Sequence, residues 1–258
     1  MALIDLKLYS ETLRMQTRVY VVLPQPQTQG EIGVERARTE GKHKCLYLLH
    51  GLSDDESIWL RRTSIERYAD EYGICVVMPC GDTSFYTDMK YGKKYYTYIA
   101  KELPRLICQF FNVSEKREDT YIAGISMGGY GALKIGLREC DRFCMAAGLS
   151  SVTDPVIPVF SVDNKDVMTA VFGEEMVVPE MDDLFCLLEQ RAKHPLRPRI
   201  FMGVGTEDFL YEDNIRLKNR LQELEYDYIY KESSGLHCWT FWDEYIIHVL
   251  NWMFRGKV

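Results

Sequence analysis

Short apolar runs alternate along this chain with longer stretches in which apolar positions recur at intervals of three and four. The runs at 18–23, 45–49, 74–78, 120–124, 145–149, 200–203 and 226–230 have the length and composition of buried strands. The stretches at 57–72, 95–111, 130–139, 211–224 and 242–254 predict helices, because a 3.6-residue period gathers those apolar positions on one face. Pro104 interrupts the second of these and predicts a kink or a helix start. Strands separated by helices call for a mostly parallel sheet with right-handed crossovers and helices on both faces, an α/β fold.

Two segments break the alternation. Residues 25–44 are polar and rich in Pro and Gly, and read as a surface connection. Residues 150–198 pass between two strands with several prolines and one clear helical pattern, 182–192. An excursion of that length at strand C-termini predicts a small lid-like insertion or pocket wall.

Length and composition bound the reading. The 258 residues, 47% hydrophobic and 27% charged, suit one α/β domain over 1–258 with a single large core. With 31 basic and 38 acidic residues the net charge is −7, so nucleic acid and anionic membrane surfaces are not expected partners. The apolar runs are too short to span a bilayer, and Asp5 and Lys7 stand where a secretion signal needs an apolar stretch, so a soluble, cytoplasmic protein is expected. Cys45, Cys75, Cys108, Cys144 and Cys186 lie in apolar stretches, without a Cys-x-x-Cys pair, and read as packing thiols.

The segment Thr120 to Leu133 carries the most chemistry: a strand, then Gly124-Ile125-Ser126-Met127-Gly128, then a helix. In such a turn the serine takes a strained backbone and projects its hydroxyl above the sheet, and the flanking glycines stand where a Cβ would collide. Ser126 is therefore the candidate nucleophile. The helix N-terminus behind it favours developing negative charge.

Acyl transfer on a serine needs two N–H donors for the oxyanion. Met127 N–H is the first candidate, and Leu52 N–H, after the strand and turn Cys45 to Gly51, is the second. His50 in that turn reads as a local hydrogen-bonding residue, and Ser53 to Glu56 as caps for the following helix. In this type of fold the acid and base follow the nucleophile in the chain. Of the later histidines, His248 lies within a helical pattern and His194 precedes Pro195 in the irregular region, which leaves His237 between the last strand and last helix as base. For the acid, Glu207 and Asp208 are adjacent after the strand 200–203, while Glu212 and Asp213 fall on the next helix. Such a triad requires no metal or organic cofactor.

The segments Leu48-Leu49-His50-Gly51-Leu52, Gly124 to Ala132, Gly205 to Tyr211 and Gly235-Leu236-His237-Cys238-Trp239 together resemble the esterase D family of α/β-hydrolases, in particular its bacterial tributyrin and acetyl esterase branch. The resemblance implies an α/β-hydrolase fold, hydrolysis of short-chain acyl esters, and Ser126, Asp208 and His237 as nucleophile, acid and base. Feruloyl and acetyl-xylan esterases and S-formylglutathione hydrolases are relatives. The last typically carry a cysteine after the oxyanion turn and a histidine before the nucleophile, where this chain has Asp54 and Ile125, which argues against that activity.

The expected activity is a serine carboxylesterase for acetyl to butyryl esters, including acylated carbohydrates, with feruloyl ester or thioester hydrolysis as the alternative and a catalytically silent binding protein as the non-enzymatic one. Its partner would be a small-molecule ester, and since relatives form dimers or tetramers, a homo-oligomer is an expectation. Trp59, Phe85 and Tyr86 follow strands that end at the active face and are candidates for a substrate-binding aromatic wall.

Overall fold

A computed structural model of the chain describes residues 1–25 and 41–256. Most of the polar connection expected at 25–44 lies outside the described residues. Eight strands, β1 (Ala2–Ser10), β2 (Met15–Leu23), β3 (Cys45–Leu49), β4 (Cys75–Pro79), β5 (Thr120–Ile125), β6 (Met145–Leu149), β7 (Arg199–Gly205) and β8 (Tyr228–Ser233), form one sheet. Its order is β1-β2-β4-β3-β5-β6-β7-β8, and every pair from β4 to β8 is parallel, as the alternation predicts. The pairs β1–β2 and β2–β4 are antiparallel.

Strand β1 was not among the expected strands. Ile4, Leu6 and Leu8 turn inward while Asp5, Lys7 and Tyr9 face out, so the two charges belong to the solvent face of an edge strand. Strand β3 neighbours both β4 and β5. The chain leaves β3 toward β4 and leaves β5 toward β6, so the order reverses at the C-termini of β3 and β5, the position where open α/β sheets bind their ligands.

The helices are α1 (Ile58–Arg62), α2 (Ile65–Tyr72), α3 (Tyr95–Thr97), α4 (Leu103–Phe110), α5 (Met127–Arg138), α6 (Pro158–Ser161), α7 (Lys165–Phe172), α8 (Leu184–Arg191), α9 (Tyr211–Glu223) and α10 (Trp239–Arg255). The helix expected over 57–72 is broken: the Thr63 hydroxyl donates to Trp59 O at 2.6 Å and accepts from Ile65 N–H at 3.1 Å, diverting the ladder at an extended residue. Between α3 and α4 one π-helical stretch, Tyr98–Glu102, precedes Pro104, which occupies the first turn of α4 where its missing N–H costs nothing. The insertion at 150–198 holds α6 and α7 besides the one helix expected. Among the described residues no helix is long and apolar enough to cross a membrane.

Alternate strand residues feed two cores. Cys45, Tyr47 and Leu49 pack with Ile107 of α4, Leu133 of α5 and Leu217 of α9, whereas Leu46 and Leu48 pack with Trp59, Ile65 and Trp252 of α1, α2 and α10. The cysteines are all free. The insertion is tied to the first core by charge. Lys134, fully buried on α5, reaches Asp182 Oδ1 at 3.2 Å, and Arg138 reaches the same oxygen at 2.9 Å. The Lys134 ammonium also donates to Thr87 Oγ1 at 2.6 Å and Phe85 O at 3.1 Å, and Tyr130 Oη donates to Asp182 O at 2.5 Å. Burial pushes the Lys134 pKa down to about 8, with Asp182 opposing the shift.

Helix α5 sits against the strand ends at two glycines. A Cβ on Gly124 would run into the Gly128 carbonyl, and one on Gly128 would lie 2.5 Å from His50 O and 2.6 Å from Leu49 O. Backbone atoms cannot swing aside, so Gly124→Ala is expected to destabilise the fold by about 3 kcal/mol through overpacking, read from the urea midpoint. A variant as stable as the parent would contradict this packing.

Candidate active site

Ser126 joins β5 to α5 at φ 52° and ψ −117°, a left-handed backbone that a side-chain-bearing residue adopts only under constraint. The constraint is visible. Ser126 N–H donates to Leu149 O at 2.9 Å, and Ser126 O accepts from Tyr130 N–H at 3.1 Å and Val152 N–H at 3.2 Å. Strained this way, the residue lifts its hydroxyl off the end of β5 toward the loop that follows β8.

His237 stands on that loop, with Nε2 at 3.0 Å from Ser126 Oγ. Its Nδ1 lies 3.0 and 2.9 Å from the two Asp208 carboxylate oxygens. An ionised carboxylate only accepts, so Nδ1 carries the proton and, in the neutral ring, Nε2 is free to accept from the serine. Burial alone would raise the Asp208 pKa, but hydrogen bonds from His237, Leu210 N–H (2.9 Å) and Ser150 outweigh it and hold the group below the usual carboxylate range. Three residues distant in sequence thus form one hydrogen-bonded line.

Glu207, the other acid candidate, points elsewhere. It accepts from Gly235 N–H at 2.5 Å and Ser234 Oγ at 3.3 Å, and its own N–H donates to Gly235 O at 3.1 Å. It latches the loop after β7 to the histidine loop. Behind the imidazole, Trp242 presents its edge at 4.9 Å and donates through Nε1 to Ser150 Oγ at 3.0 Å, while Phe209 lies 4.6 Å away, tilted by 49°.

The turn after β3 abuts the start of α5 through Gly128. Here His50 is buried and neutral: Nε2 accepts from Gly81 N–H at 2.8 Å, which places the proton on Nδ1, 2.8 Å from Gly51 O. Burial lowers its pKa. In a trans peptide the N–H opposes the C=O, so anchoring Gly51 O fixes the direction of Leu52 N–H. Asp54 closes the turn, accepting from Gly51 N–H; burial raises its pKa to about 6, and that hydrogen bond works against the rise. Asp55 accepts from Ser57 N–H at 2.9 Å, a local turn ahead of α1; Ser57 stands at the N-cap and no side chain caps the helix, so the capping expected of Ser53 to Glu56 is not formed.

The three aromatic candidates are corrected by their placement. Trp59, Phe85 and Tyr86 are 1%, 0% and 0% exposed and cannot line an open wall, because each is consumed by packing beneath the site. Trp59 Nε1 donates to Leu49 O at 3.1 Å, and its ring meets Trp239, which meets Trp242. Tyr86 Oη donates to His50 O at 2.8 Å, and Phe85 packs on Tyr130 and Phe160. Phe85 and Tyr86 both hold φ at 51°, a strained pair pinned by Lys134. Sequence reasoning missed Ser150, Phe209, Leu236 and Trp242; proximity to Asp208 and His237 along the chain was the only signal for the middle two.

A family model described as "Putative esterase" matches residues 10–253. An acetyl esterase of Caldicellulosiruptor saccharolyticus is 31% identical over 267 residues, covering 98% of each chain. Two solved structures from Staphylococcus aureus, a substrate-bound fluorophosphonate-binding serine hydrolase and the apoenzyme of an S-formylglutathione hydrolase, are 34% and 35% identical. Each superposes with a TM-score of 0.84 over 98% of both chains. A ferulic acid esterase, 22% identical, shares the fold with a TM-score of 0.81.

Proposed function

The chain belongs to this esterase family and is a carboxylic ester hydrolase with an α/β-hydrolase fold, and from that premise we propose that Ser126, His237 and Asp208 carry its chemistry on short acyl esters, acetyl to butyryl. The observation that supports this most is the unbroken line of hydrogen bonds from Ser126 Oγ through the imidazole to a buried, ionised carboxylate.

In the proposed reaction Ser126 Oγ attacks the acyl carbon while its proton passes to His237 Nε2. The carbonyl oxygen becomes an oxyanion that accepts from Leu52 N–H and Met127 N–H, each donor lowering the barrier by about 3 kcal/mol. Collapse of the intermediate breaks the bond to the alcohol oxygen, which leaves with the proton from Nε2. Water then attacks the acyl-enzyme, gives its proton to Nε2, and releases the acid and the free serine. Asp208 stays ionised throughout and stabilises the imidazolium. The whole-chain similarity to an acetyl esterase supports a short acyl group over a long one. Thioester hydrolysis is the second reading, favoured by the whole-chain similarity to the staphylococcal S-formylglutathione hydrolase.

Ser126→Ala should cut turnover of nitrophenyl acetate by ~10⁴-fold or more and abolish the covalent fluorophosphonate adduct seen by mass spectrometry. Asp208→Asn should cost about 10⁴-fold in kcat through the wrong tautomer. A Ser126→Ala enzyme that keeps most of its activity, or still takes the label, would remove the assignment. Run from acetate to octanoate, with methyl ferulate, an acetylated xylo-oligosaccharide and S-formylglutathione alongside, the substrate panel should peak at or below butyrate.

Asp54 supplies a pH signature. Its charge appears as pH rises through about 6, next to the peptide that aims Leu52 N–H, and opposes an oxyanion there. Asn keeps the acceptor without the charge. The ratio of kcat/KM for Asp54→Asn to that of the parent should therefore climb several-fold between pH 5 and about 7.5. A ratio independent of pH would show that Asp54 exerts no field on the reaction.

A further inference from the structure

The leaving oxygen must take its proton from His237 Nε2, so the first atoms of the alcohol emerge within about 3 Å of the imidazole. Whatever borders that ring borders the alcohol. Trp242 is buried and committed to Ser150. Phe209 is the exposed ring against the imidazole, 4.6 Å away and 51% exposed, and Leu236, the residue before His237 on the same loop, is 61% exposed. The two residues belong to different loops, and Glu207 bolts those loops together through Gly235 N–H and Ser234 Oγ. An exposed ring in contact with the candidate base is apolar surface that a departing alcohol can cover. The fixed charge beside them is negative: Glu207 is fully exposed, and its hydrogen bond from Gly235 N–H holds its pKa below the usual range. Tyr211 and Tyr230, nearby in the chain and sheet, are turned to the carboxylate of Glu232.

We propose that Phe209 and Leu236 form the platform for the alcohol half of the substrate, selecting uncharged alcohols with an apolar aryl or alkyl face and rejecting anionic leaving groups such as glutathione. This rests on the assignment of His237 as the proton donor to the leaving group. The platform meets the group that leaves with the His237 proton, so it governs alcohol preference at a fixed acyl group.

The test compares phenyl acetate, methyl acetate and S-acetylglutathione, which deliver the same acyl group. In Phe209→Ala the ratio of kcat/KM for phenyl acetate to that for methyl acetate should fall about tenfold, and in Leu236→Ala several-fold, while Phe209→Leu, which keeps an apolar face, should retain most of the ratio. The parent enzyme should disfavour S-acetylglutathione, and Phe209→Lys should raise its share of kcat/KM. Fluorophosphonate labelling of each variant at Ser126 reports whether the triad is intact. A ratio that stays constant in labelled Phe209→Ala, or an equal fall for both esters, overturns the platform and leaves the acyl-transfer reading standing. A parent protein that takes no label at Ser126 strikes at that reading instead.

Discussion

The geometry of the site depends on one backbone constraint, the left-handed turn at Ser126. A positive φ on a residue with a Cβ costs on the order of 1 to 3 kcal/mol and persists only where the surroundings over-determine it. Here the surroundings are the sheet itself. Leu149 O on β6 holds the Ser126 N–H, Val152 N–H beyond β6 holds its carbonyl, and α5 can dock close enough only because Gly124 and Gly128 lack side chains. The same docking presses the start of α5 against the carbonyls of Leu49 and His50. One close approach therefore sets the direction of the hydroxyl and the distance between the two candidate oxyanion amides.

Around this turn the side chains act mainly on carbonyls. Trp59 takes Leu49 O, Tyr86 takes His50 O and His50 takes Gly51 O, so three successive peptide planes at the end of β3 are anchored by side chains, Trp59 from one core and Tyr86 from the other. Tyr86 is itself held in a strained loop whose Phe85 carbonyl accepts from Lys134. A buried ammonium is expensive unless paired, and Asp182 supplies the pair together with Arg138. The insertion at 150–198 thereby contributes a charge to the support of the turn after β3 through α5.

The sheet, most helices and the triad candidates were legible because each rests on local pattern: apolar runs, a 3.6 period, and a glycine-flanked serine between strand and helix. Where pattern ended, reading failed for identifiable reasons. The alternation of β1 is masked by Asp5 and Lys7, which break any continuous apolar run and leave only a two-residue period on an edge strand. Thr63 split a helix through its own hydroxyl, which no apolar period reveals. Asp208 and Glu207 are adjacent with identical chemistry, and only the opposite directions of neighbouring residues on a tight turn separate a partner for His237 from a latch for Gly235. The aromatics Trp59, Phe85 and Tyr86 were placed in the right neighbourhood and the wrong layer, because sequence reports proximity to a strand end but not which ring is needed to fill the space beneath it.

That layering has a consequence for specificity. An aromatic ring fully enclosed by protein stabilises the site by burial whether or not substrate is present, and it presents no surface with which to choose one ester over another. An exposed ring adds affinity only when something covers it. The rings under the β3 turn and Trp242 behind the imidazole are of the first kind, and Phe209 is of the second. Rigidity is thus concentrated where charge develops in the transition state, which must be preorganised, and uncovered apolar surface where the alcohol departs, which must bind loosely enough to release. Closed packing under the β3 turn holds the candidate amides in place, and the open apolar surface beside His237 is what remains to tell one ester from another.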